Sequence, residues 1–138
     1  MNIDSIENGV VLDHISQGKG MLVVKLLGLE DFDSPIAIIR NARTKRGSGK
    51  KDIIKIEGDV DMNLDVLGFV DPKITVNIIV NGSIAEKKRI APPNHITNVV
   101  KCKNPRCITS IESELPHVFQ KSNDEIYRCI YCEEEYQK

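Results

Sequence analysis

C-K-N-P-R-C at residues 102–107 and C-I-Y-C at residues 129–132 contain all four cysteines of the 138-residue chain. Two tight turns that each offer two sulfurs can surround one metal ion, and Zn²⁺ takes four thiolates in a tetrahedron with bonds of about 2.3 Å. We therefore predict one structural Zn²⁺ per chain, held by Cys102, Cys107, Cys129 and Cys132. An iron–sulfur centre and a pair of disulfides are the alternatives. The first residues do not resemble a signal peptide, so we expect a cytoplasmic protein in a reducing compartment, where disulfides are rare.

A proline-rich interruption, Ala91-Pro92-Pro93-Asn94, separates the cysteines from the rest of the chain. We predict two domains, at residues 1–93 and 94–138. A segment as short as the second one usually needs a metal or disulfides to fold. We therefore expect metal binding and folding of the second domain to be a single event.

Upstream of the prolines, short segments rich in β-branched residues alternate with two amphipathic stretches. The pattern predicts helices at residues 18–27 and 62–67, and strands near residues 10–15, 36–39, 52–57, 74–80 and 83–88. Asn81-Gly82 is a strong signal for a two-residue hairpin turn. This order of elements predicts an α+β fold, namely a ferredoxin-like (split βαβ) domain with an antiparallel sheet and one extra hairpin strand.

Other boundaries follow from local signals. We interpret residues 41–51, which are basic and contain Gly47-Ser48-Gly49, as an exposed loop. Asp61 is a candidate N-cap for the second helix, and Gly68 is a candidate end. In the second domain, residues 108–114 and 125–128 are predicted as short strands that support the metal turns, which gives a small zinc-ribbon-like β domain.

The charge balance argues against a nucleic-acid partner. The chain has 19 basic and 20 acidic residues, and the part after residue 93 has 6 basic and 7 acidic ones. A zinc ribbon that binds nucleic acid is the main alternative function, but such a module should be basic. No apolar run approaches the roughly 20 residues of a membrane span, so we expect no membrane partner. No set of nucleophile, base and acid is recognisable, so we predict that the chain is not an enzyme.

Polar side chains interrupt the apolar strands at Asp13, His14, Lys55, Asn77 and Lys87. Because side chains alternate between the two faces of a strand, a pleated sheet can gather these residues on one surface. Lysines on such a surface can meet a phosphate group. The alternative is an ordinary solvated face of the sheet.

Together these motifs resemble the regulatory chain of aspartate carbamoyltransferase. The resemblance runs through V-L-D-H-I at residues 11–15, K-D-I-I-K-I-E at residues 51–57, T-V-N at residues 75–77 and the two cysteine pairs. It implies a non-catalytic subunit whose first domain binds the nucleotide effectors CTP, UTP and ATP and whose zinc domain docks on the catalytic chain. It also implies control of pyrimidine biosynthesis in a dodecamer of two catalytic trimers and three regulatory dimers. A purely structural bridge between catalytic trimers remains an alternative.

The resemblance also implies roles for single residues in nucleotide binding. Asp13 and Lys55 match ribose and base contacts, and Lys87 matches a phosphate-binding lysine. His14, Lys51 and Asn77 match further contacts to the nucleotide or to a metal-linked phosphate. The positions that match the lining of the base and sugar pocket are Ile3, Asp4, Ile6, Val11, Ile53, Ile79 and Ile84.

Overall fold

A computed structural model of the chain describes residues 6–45, 49–58 and 62–136. The chain divides into two compact units, residues 1–91 and residues 92–138. The predicted site positions Ile3 and Asp4 and the candidate cap Asp61 lie outside the described residues. No helix within the described ranges is long and apolar enough to cross a membrane.

The first unit is one five-stranded antiparallel sheet with two helices. The strands lie side by side in the order β2-β3-β1-β4-β5. Their bounds are Gly9–Ser16 (β1), Ile36–Arg43 (β2), Lys50–Glu57 (β3), Thr75–Val80 (β4) and Ser83–Arg89 (β5), and the helices are Gly20–Leu27 (α1) and Asp65–Val70 (α2). The predicted α+β fold with a ferredoxin-like antiparallel sheet is confirmed, and β5 is the extra hairpin strand.

Strand alternation gives this sheet a covered face and an open face. Ile54, Leu12 and Val76 stand opposite one another on β3, β1 and β4 and have no exposed surface. The buried side chains of α1 and α2 belong to the same apolar core. The helices therefore cover this face, and the next residue along each strand points to the opposite face, which we call the open face.

Two β-bulges flank strand β3 at the same level. The pairing of β1 with β3 slips between Leu12 and Ile15, and that of β2 with β3 slips between Ile39 and Ala42. Beyond its bulge β2 continues to Arg43, and β3 begins at Lys50. The interpretation of residues 41–51 as a loop is therefore wrong at both ends, because a bulge lets a strand continue past polar residues.

Helix α2 lies later in the chain than predicted. It begins at Asp65, not at residue 62, and it runs through Gly68 to Val70. A Cβ atom at position 68 would lie 2.2 Å from the carbonyl oxygen of Ala91. The glycine thus permits close backbone packing and does not end the helix. By contrast, the predicted hairpin turn is confirmed, since Asn81 and Gly82 have φ values of 51° and 79°.

The second unit is a small three-stranded antiparallel sheet around Phe119. Its strands are His95–Thr97 (β6), Val118–Lys121 (β7) and Tyr127–Cys129 (β8), with β7 in the centre. Residues 108–114 were predicted to form a strand, which is wrong, because Ile108–Ile111 forms one helical turn (α3). The Ser110 N–H donates to the Cys107 carbonyl oxygen at 2.9 Å and closes this turn.

Candidate metal centre and ligand face

The four cysteine sulfurs converge at one point of the second unit. All four lie within 4.8 Å of one another, and Cys102 Sγ to Cys132 Sγ and Cys107 Sγ to Cys129 Sγ measure 3.6 and 3.7 Å. A tetrahedron with metal–sulfur bonds of about 2.3 Å has edges of about 3.8 Å. The cysteines are free thiols, so the disulfide alternative does not apply. The donor set fits one tetrahedral metal ion.

The first cysteine turn is held by its own hydrogen bonds. The carbonyl oxygen of Asn104 accepts the N–H of Cys107 at 3.0 Å and the hydroxyl of Ser110 at 2.8 Å. The side-chain oxygen of Asn104 accepts the N–H of Arg106 at 3.0 Å. These bonds hold the turn in the folded unit, where it directs two of the four sulfurs towards the centre.

The thiols differ in acidity. Burial raises the pKa of Cys102 to about 12, and it also raises the pKa of Cys129. Burial acts on Cys107 in the same direction, but hydrogen bonds from the Thr109 hydroxyl and backbone outweigh it and lower the pKa of Cys107 to about 7. A metal ion must therefore displace protons from the more basic thiols when it binds.

On the open face of the first unit, one row of side chains crosses all five strands. Directly opposite residues share a face, and the register places Ala37, Lys55, Val11, Asn77 and Lys87 in line. Lys55 and Lys87 are three strands apart, or about 14 Å between backbones. Neither forms an ion pair within residues 6–45, 49–58 and 62–136. Two cations thus face the same side of the sheet, with a polar amide between them.

The bulge in β1 places a second cluster of polar side chains on the open face. Lys51 Nζ lies 2.9 Å from Asp13 Oδ1, and His14 Nδ1 lies 3.1 Å from the hydroxyl oxygen of Thr75. Burial alone would raise the pKa of Asp13, but hydrogen bonds from Lys51 and from the His14 N–H, together with the Lys51 charge, lower it. His14 has a φ of 59°, so the bulge sets its direction.

Asn77 holds the least satisfied polar atom of the open face. Its residue is only 8% exposed, and its side-chain oxygen is buried with no hydrogen-bond partner in the described part of the chain. An unpaired buried acceptor costs about 1–3 kcal/mol. A ligand that donates a hydrogen bond here would relieve that cost.

The predicted apolar lining residues divide between described and undescribed parts of the chain. Val11, Ile53 and Ile79 lie on the open face by strand alternation, and Ile84 stands opposite Ile79 on β5. Ile79 is buried, whereas Ile84 is 59% exposed. Ile6 is half-buried and its side chain approaches Gly9. The structure thus brings the predicted polar and apolar residues of the strands to one face.

Sequence reasoning missed the buried carboxylate of Asp52. Its oxygens accept the N–H groups of Gly18 at 3.2 Å, Gly20 at 2.9 Å and Asn41 at 3.1 Å. Asp52 therefore joins the start of α1 to the β2 bulge, directly beside Lys51. The signal was present, because Asp52 stands in the same alternation as the buried Ile54 and Ile56.

Fold and sites together define a chain of two parts, with a small unit built around a four-thiolate metal site and a ferredoxin-like unit that presents a cationic sheet face. The family model described as "Aspartate carbamoyltransferase regulatory chain, allosteric domain" matches residues 1–91, and the model for the "metal binding domain" of the same chain matches residues 94–138.

Curated relatives are similar in sequence to this chain over nearly its full length. Aspartate carbamoyltransferase regulatory chains of Clostridium botulinum (strain Hall) and Clostridium acetobutylicum are 50% and 46% identical over 138 residues, which cover 99% of this chain and 94% of each relative. The regulatory chain of Bifidobacterium longum is 44% identical over 137 residues, with 98% of both chains covered. This chain belongs to the aspartate carbamoyltransferase regulatory chain family, and it is a non-catalytic subunit with an allosteric and a metal-binding domain.

Proposed function

We propose that the chain binds nucleoside triphosphates on the open face of its first unit and passes their effect to the catalytic chain through a zinc-holding second unit. The observation that carries the proposal is the row Lys55-Val11-Asn77-Lys87 across the sheet. A nucleotide with base, sugar and phosphates in line can bridge the distance between its two lysines. The effectors are CTP, UTP and ATP, and the pathway under control is pyrimidine biosynthesis.

The polar residues of the open face have complementary tasks in this proposal. Lys87, on an edge strand and exposed, holds the phosphates, because a flexible ammonium in solvent suits a mobile polyanion. Lys55 and Asp13 contact the base and ribose, where a charged acceptor takes sugar hydroxyls. Lys51, His14 and Asn77 complete the contacts to the phosphates or to a metal ion bound with them. The described residues of the proposed lining are Ile6, Val11, Ile53, Ile79 and Ile84, and its other two proposed members, Ile3 and Asp4, lie outside the described residues.

Zinc is the metal that the cysteine site suits best. Four thiolates in a closed tetrahedral arrangement are typical of structural zinc, which needs no open coordination position. The sulfur separations, all within 4.8 Å, support a single ion, one per chain. A reducing cytoplasm keeps such thiols available for the metal.

Exposed apolar side chains beside the cysteines support docking on the catalytic chain. Ile108 and Ile130, which directly follow Cys107 and Cys129, are 42% and 45% exposed. Ile111, 70% exposed, and Tyr131, 39% exposed, belong to the same two turns. We call Ile108, Ile111, Ile130 and Tyr131 the docking residues. Because the metal holds the two cysteine pairs together, we expect it to bring the docking residues close to one another.

In the assembly we propose, regulatory dimers join two catalytic trimers into a dodecamer with three such dimers. A nucleotide then acts only through its different affinities for the two states of the assembly. A coupling free energy of about 1–3 kcal/mol between effector and substrate sites suffices for a 5- to 150-fold change in affinity.

The nucleotide proposal is tested by titrating the zinc-loaded full chain with CTP, ATP and UTP in a calorimeter. Lys87→Ala should weaken binding of these triphosphates at least tenfold and leave the zinc content at one per chain. Lys88→Ala is the matched control, because the adjacent lysine stands opposite the buried Val76 and so belongs to the other face of the sheet. Its affinity should match that of the unmodified chain.

Two results would contradict the proposal. Equal losses in Lys87→Ala and Lys88→Ala would mean that only overall charge matters. No binding by a folded, zinc-loaded chain would leave a structural bridge between catalytic trimers as the function. A separate variant, Cys107→Ser, should lose zinc and fail to associate with the catalytic chain, and normal association would refute zinc-dependent docking.

A further inference from the structure

The sulfur of Cys107 has a side-chain hydrogen-bond donor that none of the preceding proposals uses. The hydroxyl oxygen of Thr109 lies 3.1 Å from Cys107 Sγ. Cys107 is 1% exposed and Thr109 is 4% exposed, so water does not compete for this bond. At these positions the hydroxyl hydrogen is directed towards the sulfur.

The other donors to the cysteine sulfurs are backbone N–H groups, and one of them is the N–H of Thr109 itself, which also bonds to Cys107. Cys102 receives a backbone hydrogen bond from Asn104, and Cys129 receives backbone bonds from Tyr131 and Cys132. Among substitutions only proline removes a backbone donor, and it also restricts the backbone, whereas the Thr109 hydroxyl can be removed by itself. Groups that hydrogen-bond to metal ligands orient them, and their loss typically weakens metal binding by about 10- to 100-fold.

The fold also explains why the hydroxyl reaches the sulfur. Thr109 is the second residue of the helical turn α3, which begins directly after Cys107 and is closed by the Ser110 N–H. The turn carries the Thr109 side chain back over the preceding sulfur. In a strand the side chains of residues 107 and 109 would also lie on one face. The hydrogen bond from the Ser110 N–H to the Cys107 carbonyl oxygen, which closes the helical turn, would then be absent.

We propose that Thr109 is a positioning residue of the metal centre. Its hydroxyl holds the Cys107 sulfur in its ligand orientation and stabilises the negative charge of the bound thiolate. Thr109 thereby sets how firmly the chain retains its metal. This inference rests on the four-cysteine centre being the metal site and is independent of nucleotide binding.

The test uses the full chain loaded with Co²⁺ in place of the native metal, because thiolate-bound Co²⁺ absorbs through sulfur-to-cobalt charge transfer. Thr109→Val removes the hydroxyl and keeps the side-chain shape. It should weaken Co²⁺ and Zn²⁺ binding by about 10- to 100-fold in competition with a chelator. The charge-transfer band should move to longer wavelength, because a thiolate without its hydrogen bond gives up charge more readily. Thr109→Ser should restore both values.

Ser110→Ala is the matched control. It removes a hydroxyl from the same helical turn, but that hydroxyl bonds to the Asn104 carbonyl oxygen and not to a sulfur. Even if the metal affinity of this variant falls, because the bond helps to hold the first cysteine turn, its charge-transfer band should stay in place, since no sulfur loses a donor. If Thr109→Val binds no cobalt, Thr109→Ala at saturating cobalt supplies the spectrum. Failure of both hydroxyl-free chains to load, while Thr109→Ser loads, also supports the proposal.

Two outcomes overturn it. One is a Thr109→Val chain whose metal affinity and charge-transfer band equal those of the unmodified chain. The other is a loss of affinity with an unchanged band that Thr109→Ser does not restore, which would assign Thr109 a packing role only. Neither result bears on nucleotide binding, which is measured separately.

Discussion

The two units of this chain are stabilised in different ways. Among the described residues, the first unit buries fifteen hydrophobic side chains, whereas the second buries seven, and three of those are cysteines. The first unit thus has an apolar core of its own, since buried apolar surface supplies most of the driving force for folding. The second unit buries little apolar surface, so we expect its folding to depend on the metal ion. We therefore expect the first unit to fold by itself and the folding of the second unit to follow the supply of metal.

Metal removal should produce the largest difference in stability between the two units. A structural zinc site contributes about 10–16 kcal/mol, which exceeds what a core of this size supplies. We expect a chelator to unfold the second unit of the full chain and to leave the first unit folded. Amide hydrogen exchange resolved by segment would show protection lost in β6, β7 and β8 and kept in β1, β3 and β4. Protection kept in all six strands after complete metal loss would show that the second unit folds without its metal.

A large truncation in the first core should produce the opposite pattern. Phe69 is 1% exposed in α2, and replacing a buried phenylalanine by alanine costs about 3–5 kcal/mol. Phe69→Ala should therefore lower the urea midpoint of the first unit and leave the metal content unchanged. Ile84→Ala, at an exposed position of β5, is the control and should change the midpoint little. Loss of metal from Phe69→Ala would show that the units are not independent.

A smaller effect should come from the close contact at Gly68. Gly68→Ala places a methyl group against the Ala91 backbone, and overpacking of this kind costs about 1–3 kcal/mol. Gly49→Ala is the control, because a Cβ there makes only ordinary contact with Thr44. Thermal unfolding of the first unit should shift downwards for position 68 alone. Equal shifts for both variants would mean that loss of glycine, not the close contact, decides the result.

The smallest predicted effect is on the stability of the first unit at acid pH. The pKa of Asp13 is lowered in the folded chain, so its contribution is present above the unfolded-state pKa and is lost as pH falls through the folded-state value. The pair with Lys51 is partly exposed, so we expect at most about 1 kcal/mol. Urea unfolding of the first unit at pH 6 and at pH 3 should differ less in Asp13→Asn than in the unmodified chain. An identical difference in both chains would exclude this pair as a contributor.

Much of this architecture was predictable because its signals are local. The geometry of the Asn81-Gly82 turn and of the paired cysteines depends on only a few neighbouring residues. The alternation of residue types in β3 and β4 determines which side chains share a face. The bulges were not predictable, because their contacts come from residues distant in sequence: the Asn41 N–H of the β2 bulge donates to Asp52, and Asp13 and His14 of the β1 bulge contact Lys51 and Thr75. Gly68 misled for a related reason, since its role is set by Ala91, 23 positions away.

The candidate sites also contain some features that were predictable from the sequence and some that were not. The metal ligands were predictable from spacing alone, whereas the single-turn helix after Cys107 was not. Ile108, Thr109 and Ile111 favour strands by residue type, but the Ser110 N–H closes a helical turn on the Cys107 carbonyl oxygen. On the open face, alternation predicted that Lys55 and Lys87 point the same way only if the strand order was known. The sheet order, a property of the whole unit, places both lysines in one row.

The separation between the two halves of the metal site has a consequence for biosynthesis. Cys107 and Cys129 are 22 residues apart in sequence. A ribosome therefore completes the first unit, with its own core, well before it supplies the second pair of sulfurs. During that interval the first unit is complete, and the metal site still lacks two of its four sulfurs. The four-sulfur site can therefore form only after the whole first unit has been synthesised, so metal binding is the last folding step that the order of the residues allows.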